Sequence, residues 1–380
     1  MRRTIFGPEH DDFRALAGKF LDREAAPHAD AWESAGMVPR EFWEEAARHG
    51  LVGFEVPEQY GGAGTADFRF NAVLDEEMAY TGSVGDGFTM QNDILVPYLL
   101  DLTDDEQKRR WLPAFTSGRL IAAIAMSEPG TGSDLRAMAT TARRDGDSYV
   151  LNGAKTFVTG GIGADLVIVA ARTSAEGGKD GFTLLAVESG AEGFDRGRKL
   201  AKAGRWAQDT AELFFHDARV PVANRLGKEG GGFRYLMANL PRERLSIAVG
   251  AVAAAEHALR ITLSYVTERT AFGRPVGSFQ ANRFALAELV TKVGAARAYV
   301  DRCIEALLSA ELTPAEAAGA KAWTTDLQNE VVDRCVQLHG GYGYMREYEI
   351  SRLWRDARVQ RIYGGTNEIM YEIVGRSLGL

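Results

Sequence analysis

Helical periodicity stops at about Ala123 and resumes at Phe233, and this double switch constrains the fold more than any other feature. In the first stretch, Phe13, Leu16, Ala17, Phe20 and Leu21 follow the i, i+3, i+4, i+7, i+8 spacing of an amphipathic helix. Pro8 suits a first helical turn and Gly50 a helix end. Between 123 and 232 short runs rich in β-branched and aromatic residues appear, at 148–151, 166–170, 182–187 and 212–215. Asp145-Gly146-Asp147 and Asn152-Gly153 punctuate them, which predicts antiparallel strands joined by tight turns. Beyond 233, Leu286, Leu289, Val290 and Val293 form one apolar stripe, extended by Val300, Ile304 and Leu308. Trp323, Leu327 and Val331 form another. Gly230-Gly231-Gly232 reads as a hinge, or as a tight turn beside a ligand.

Helices, then strands, then helices is an α+β layout, divided into 1–122, 123–232 and 233–380. The chain has 380 residues, 46% of them hydrophobic, enough for a large core in two or three domains. Strands do not alternate with helices, which argues against a doubly wound nucleotide fold. The nearest glycine motif, Gly130-Thr-Gly132, follows Glu128-Pro129 and not a buried strand. A net charge of −8 gives no support for nucleic-acid or anionic-membrane binding. Cys303 and Cys335, the only cysteines, form no disulfide framework or metal pair and fit a reducing compartment. Early acids at Glu9, Asp11 and Asp12 argue against a transit peptide, so a cytoplasmic location is expected. The most apolar run, 247–255, is far short of the roughly 20 residues of a bilayer span.

Four strings carry chemistry. Met126-Ser-Glu-Pro-Gly-Thr-Gly-Ser-Asp134 is a glycine-rich turn where backbone and hydroxyls can approach a planar, phosphate-bearing ligand, or a plain loop entering the β region. Lys155-Thr-Phe-Val-Thr159 reads as a strand. Arg269-Thr-Ala-Phe-Gly-Arg-Pro-Val-Gly-Ser-Phe-Gln280 offers an Arg for a pyrophosphate, an aromatic and an amide, or an Arg-rich helix connection. Gln337-Leu-His-Gly-Gly-Tyr-Gly-Tyr344 ends a long helix in glycines. His339 within it lacks a partner at metal-ligand spacing and reads as a packed side chain.

In order and spacing these strings resemble the acyl-CoA dehydrogenase family over essentially the whole chain. The resemblance implies an N-terminal helical domain, a middle β domain and a C-terminal four-helix bundle. It implies FAD held by Met126, Ser127, Ser133, Phe157, Thr159, Gln337, Gly341, Thr366 and Glu368. It also implies that Arg269, Phe272 and Gln280 reach the FAD of a neighbouring subunit in a homotetramer built of two dimers. Ser133, Arg244, Tyr363 and Gly364 are implied at the substrate, and no metal is expected.

The family removes a Cα proton and passes a Cβ hydride to the flavin. Most members carry the base as the Glu of Tyr-Glu-Gly-Thr; this chain reads Tyr363-Gly364-Gly365-Thr366. Glu243, in Leu240-Pro-Arg-Glu-Arg-Leu245, stands where the long-chain and isovaleryl branches place a relocated base. The competing reading of Glu243 is a helix-start acid, with Pro241 in a first turn. The 202–215 segment and Tyr363-Gly-Gly-Thr-Asn-Glu-Ile resemble the long-chain branch most, with the isovaleryl branch second. The resemblance thus implies oxidation of a long-chain or branched acyl-CoA, fatty acid β-oxidation, and an electron-transfer flavoprotein as acceptor. Two alternatives stay open: an oxidase of the same fold using oxygen, and a non-catalytic binding protein that lost its base.

Overall fold

The computed structural model describes residues 3–81, 87–174 and 181–380. Helices Pro8–Glu24 (α1), Ala29–Ala35 (α2), Arg40–Arg48 (α3), Phe68–Thr81 (α4), Val96–Asp101 (α5) and Asp105–Thr116 (α6) make the first part. Ala17, Phe20 and Leu21 of the α1 stripe are buried, while Leu16 lies on the solvent side. Asp104 and Gln107 cap α6 reciprocally, satisfying two donors that a helix start leaves unpaired. A π-helical stretch, Thr89–Leu95, leads into α5.

The middle part is one sheet. Its strands are Ala122–Ala125 (β1), Thr141–Asp145 (β2), Ser148–Thr159 (β3), Leu166–Arg172 (β4), Phe182–Glu188 (β5), Phe194–Lys199 (β6), Thr210–Pro221 (β7) and Arg225–Leu226 (β8). The order is β6-β7-β3-β2-β4-β5-β8, with β1 beside β4. Most pairs are antiparallel as the turn signals predict, but β1 runs parallel to β4, and β2 meets β4 in parallel at one pair. The long connection between β1 and β4, a loop followed by the β2–β3 pair, makes that direction possible, and no hairpin signal could reveal it. Strand β3 continues past Asn152-Gly153, with a register shift there instead of a turn.

Helices Gly232–Glu268 (α7), Gln280–Leu308 (α8), Pro314–His339 (α9), Glu349–Ala357 (α10) and Asn367–Ser377 (α11) make the last part. Three are long. The shorter α11 packs on α9 through Met370, Ala318 and Ala322. A hairpin of Thr270–Ala271 (β9) and Arg274–Pro275 (β10) links α7 to α8. Leu286, Leu289, Val293, Val300, Ile304, Leu327 and Val331 are buried, whereas Val290, Leu308 and Trp323 lie on the outer face. The apolar run 247–255 belongs to α7, the one described helix long and apolar enough to cross a membrane; 72% of that apolar window is buried inside the protein.

Pro241 lies inside α7, nine residues past its first residue Gly232, and not in a first turn. Glu243 is therefore a mid-helix acid, and the helix-start explanation of it does not hold.

Candidate active site

Glu243 is 4% exposed. Burial pushes its carboxyl up to about 7, against the opposing pull of a Tyr98 hydrogen bond and the Arg244 charge. The Tyr98 hydroxyl on α5 donates to Glu243 Oε1 at 3.1 Å. Burial and the neighbouring carboxylate hold the phenol well above its usual range, so Tyr98 is a fixed donor near neutral pH. Arg242, one residue earlier, turns to an ion pair with Glu55. Arg244, one residue later, is buried and donates through Nε to the Gly364 carbonyl at 3.3 Å.

Gly364 thus sits against α7 near Glu243. Its φ is +64°, a region that suits glycine. A Cβ there would fall 2.5 Å from Ile247 Cδ1. Ile247 is four residues after Glu243, so the two share one face of α7. The Tyr363 ring lies beside Arg205, whose guanidinium is 5.9 Å from the ring centre. Thr366 caps α11, accepting from the Ile369 N–H at 3.4 Å, and Glu368 lies exposed in that helix's first turn.

Gln91, in the π-helical stretch, exchanges two hydrogen bonds with Ala122 of β1, at 2.9 and 3.1 Å. Three residues on, β1 ends and delivers Met126 and Ser127. Ser127 accepts from the Thr156 N–H at 2.9 Å, so the Met126 turn and the Phe157 strand lie side by side. Buried Lys155 ties them further, donating to Met126 O at 3.0 Å and to Glu128 Oε1 at 2.8 Å. Glu128 in turn accepts from the Ala139 and Thr140 N–H groups, closing the loop that carries exposed Ser133.

Phe157 stands at a register shift in β3 with φ +58° and 70% of its surface exposed. An aromatic in left-handed backbone, aimed outward from a β-bulge, is a strained arrangement of the kind found at ligand platforms. Thr159 follows, lining a crevice with Trp43, Met90, Gln91, Ile121 and Gln208. An outward aromatic on a bulge beside a glycine-rich turn fits the planar ring of a flavin.

A second group lies at the other end of α7. Arg269 follows the last residue of that helix, and its guanidinium lies 5.5 Å from the Tyr342 ring centre. This brings Arg269 beside the Gln337–Tyr344 segment, where Gln337 and Gly341 are exposed. His339 is packed: it stacks on Tyr265 at 4.2 Å, and Nδ1 lies 2.8 Å from the Cys335 carbonyl oxygen. No group of three metal-ligating side chains occurs among the described residues. Phe272 and Gly273 both have positive φ, as a two-residue I′ hairpin loop requires. That loop leaves Phe272 95% exposed, with Gln280 exposed nearby. The 26-residue step from Glu243 to Arg269 is roughly 39 Å along a helix. Arg269 and Phe272 therefore do not line the site around this chain's own Glu243.

Sequence reasoning missed Tyr98, Lys321 and the Lys155–Glu128 pair. Tyr98 is the one polar side chain in Val96-Pro-Tyr-Leu-Leu100, and Lys321 the one charge in 317–322, an alanine-rich run. A lone polar group in an apolar run is the signal that could have flagged both.

Three family models match the chain: acyl-CoA dehydrogenase N-terminal domain over 7–119, middle domain over 123–218 and C-terminal domain over 230–379. It is 48% identical over 378 residues to the long-chain specific acyl-CoA dehydrogenase of Sus scrofa mitochondria, covering 99% of this chain and 88% of that one. The acyl-CoA dehydrogenase of Geobacillus kaustophilus superposes with a TM-score of 0.97 at 48% identity, covering 99% of each chain. A glutaryl-CoA dehydrogenase from Mycobacterium smegmatis, solved in complex with FADH2, superposes with a TM-score of 0.91 at 26% identity, over 98% of this chain and 95% of that one. The chain belongs to the acyl-CoA dehydrogenase family and is an FAD-dependent oxidoreductase of acyl-CoA substrates.

Proposed function

We propose that the protein converts a long-chain or branched fatty acyl-CoA to its trans-2-enoyl-CoA, with Glu243 removing the Cα proton. The observation that carries this is the state of Glu243: buried, held at Oε1 by Tyr98, and raised to about 7. A carboxyl in that range is ionised in a useful fraction at neutral pH and basic enough to take a weakly acidic proton. The thioester oxygen is received by the Gly364 N–H, whose loop Arg244 holds through the next carbonyl. FAD, when bound, supplies the acceptor for the Cβ hydride. Met126, Ser127, Ser133, Phe157, Thr159, Gln337, Gly341, Thr366 and Glu368 would hold it, with Arg269, Phe272 and Gln280 acting on a neighbour's cofactor.

Glycine at 364 leaves the ground near Cα free of a side chain, which favours a 2- or 3-methyl branch or a bulky chain. Exposed Phe272, Phe284, Val290 and Trp323 support a homotetramer. Reoxidation by an electron-transfer flavoprotein and a cytoplasmic setting complete the proposal. The test is a panel of acyl-CoAs of graded length and branching, scored by anaerobic flavin bleaching. Bleaching by long or branched substrates supports the reading, and bleaching by short straight chains alone contradicts it.

A further inference from the structure

We propose that Lys321 is a positioning residue for this reaction, holding the 363–367 loop so that the Gly364 N–H faces the thioester oxygen. The inference rests on the reading that this N–H receives that oxygen.

Lys321, on α9, is wholly buried, with four neighbouring alanines in the helix. Its Nζ donates to the Gly365 carbonyl at 2.8 Å and to Asn367 Oδ1 at 2.9 Å. Asn367 is itself fixed, its Nδ2 lying 3.1, 3.0 and 3.0 Å from Ala322 O, Thr325 Oγ1 and Asp326 Oδ1, which share its two N–H donors. The Gly364 carbonyl accepts from Arg244 on α7. Two consecutive loop carbonyls are therefore held by cations from two different helices.

That clamp answers a specific weakness. Gly364 and Gly365 carry no Cβ, so the loop has little conformational restraint of its own. Peptide units are planar, so fixing the carbonyls of 364 and 365 fixes both planes that follow Gly364. The direction of the Gly364 N–H then depends only on the dihedral angles at that residue. A buried ammonium near a buried guanidinium is an unfavourable choice for packing alone, and an apolar side chain of similar length would avoid it. The lysine makes sense as a donor aimed at the loop.

The experiment uses the FAD-loaded enzyme with Lys321→Met, which keeps length and loses the donor, and Lys321→Gln, which keeps donors and loses charge. Three quantities are read: the kcat and the KM for the best acyl-CoA, and the vibrational shift of the thioester C=O in bound enoyl-CoA product. Misplacing a reacting group by about 1 Å can lower rate by about 10²-fold. Lys321→Met is expected to lower kcat by about 10–10²-fold, with KM changed much less. The C=O band should move back toward that of the free thioester, and Lys321→Gln should fall between. A wild-type band shift in Lys321→Met overturns the proposal whether or not kcat falls, because a merely structural lysine would not move that band. If the Met variant does not accumulate, the Gln variant decides alone: a partly lost shift supports the proposal, and a wild-type shift overturns it. Glu243→Gln, run in parallel, should keep the band shift and lose turnover, so failure of the base assignment shows in turnover and failure of the Lys321 role in the band.

Discussion

Tyr98 and Glu243 meet through one hydrogen bond, Oη to Oε1 at 3.1 Å, inside a region closed to solvent. The donor stabilises the carboxylate and so works against burial, which raises the same group. Tyr98→Phe removes that help, together with the phenol's hydrogen bond to Asn239. A hydrogen bond to a charged group contributes about 1.5–3 kcal/mol, so the acid limb of kcat/KM should move up by about one pH unit or more. A pH profile of the variant checks this; an unmoved limb would mean that the phenol serves packing only.

The wild-type profile has a sign that follows from the same group. Catalysis needs the ionised form, so kcat/KM should fall about tenfold per pH unit below a limb near 7. Stability runs the other way. The folded-state value lies above the ordinary 4.5, so the protein is favoured below 4.5 and loses that advantage as pH rises to about 7. Relative to Glu243→Gln, wild type should lose about 3 kcal/mol over that window. Thermal midpoints of both proteins at several pH values between 4 and 8 measure it.

Moving the base back across the site meets a backbone obstacle. Gly364 has φ +64°, and a Cβ would press on Ile247 Cδ1. Left-handed backbone costs a side-chain-bearing residue about 1–2 kcal/mol. Gly364→Glu in the Glu243→Gln background should therefore restore some turnover, most with shorter or unbranched acyl chains, and Ile247→Ala added to it should restore more. Turnover assays on the double and triple variants test this; no gain from relieving Ile247 would contradict the steric account.

Arg269 is exposed at the far end of α7, beside a hairpin that projects Phe272 into solvent. Arg269→Ala should lose FAD and weaken the dimer, because a charge-assisted phosphate contact goes with it. Flavin content and sedimentation read both. A monomer that keeps full activity and FAD would contradict the shared-cofactor arrangement.

The sequence showed the helix–sheet–helix order because period is a local property, and the helical stripes and strand runs carry it directly. The runs at 148, 166 and 182 begin where β3, β4 and β5 begin, but one strand, β3, joins the 148–151 run to Lys155–Thr159, and β7 reaches past its apolar run to Pro221. Strand β6, Phe194-Asp-Arg-Gly-Arg-Lys199, has almost no β composition and is held by pairing with β7. At the site, Glu243 was found through a missing glutamate elsewhere, but its environment was not. Pro241 looked like a helix start, and only the tertiary path of α7 shows it as interior. Tyr98 and Lys321 come from helices far from Glu243 and Gly364 in sequence, and contacts of that range leave no periodic trace.

Glu243→Gln asks whether Glu243 removes the Cα proton. Glutamine keeps the shape and can still hydrogen-bond to Tyr98, but it cannot take the proton. Turnover should fall by about 10²–10⁴-fold, the usual contribution of a general base, while FAD content and acyl-CoA affinity stay near wild type. Wild-type turnover in a Glu243→Gln enzyme that retains its flavin would place the base on another residue.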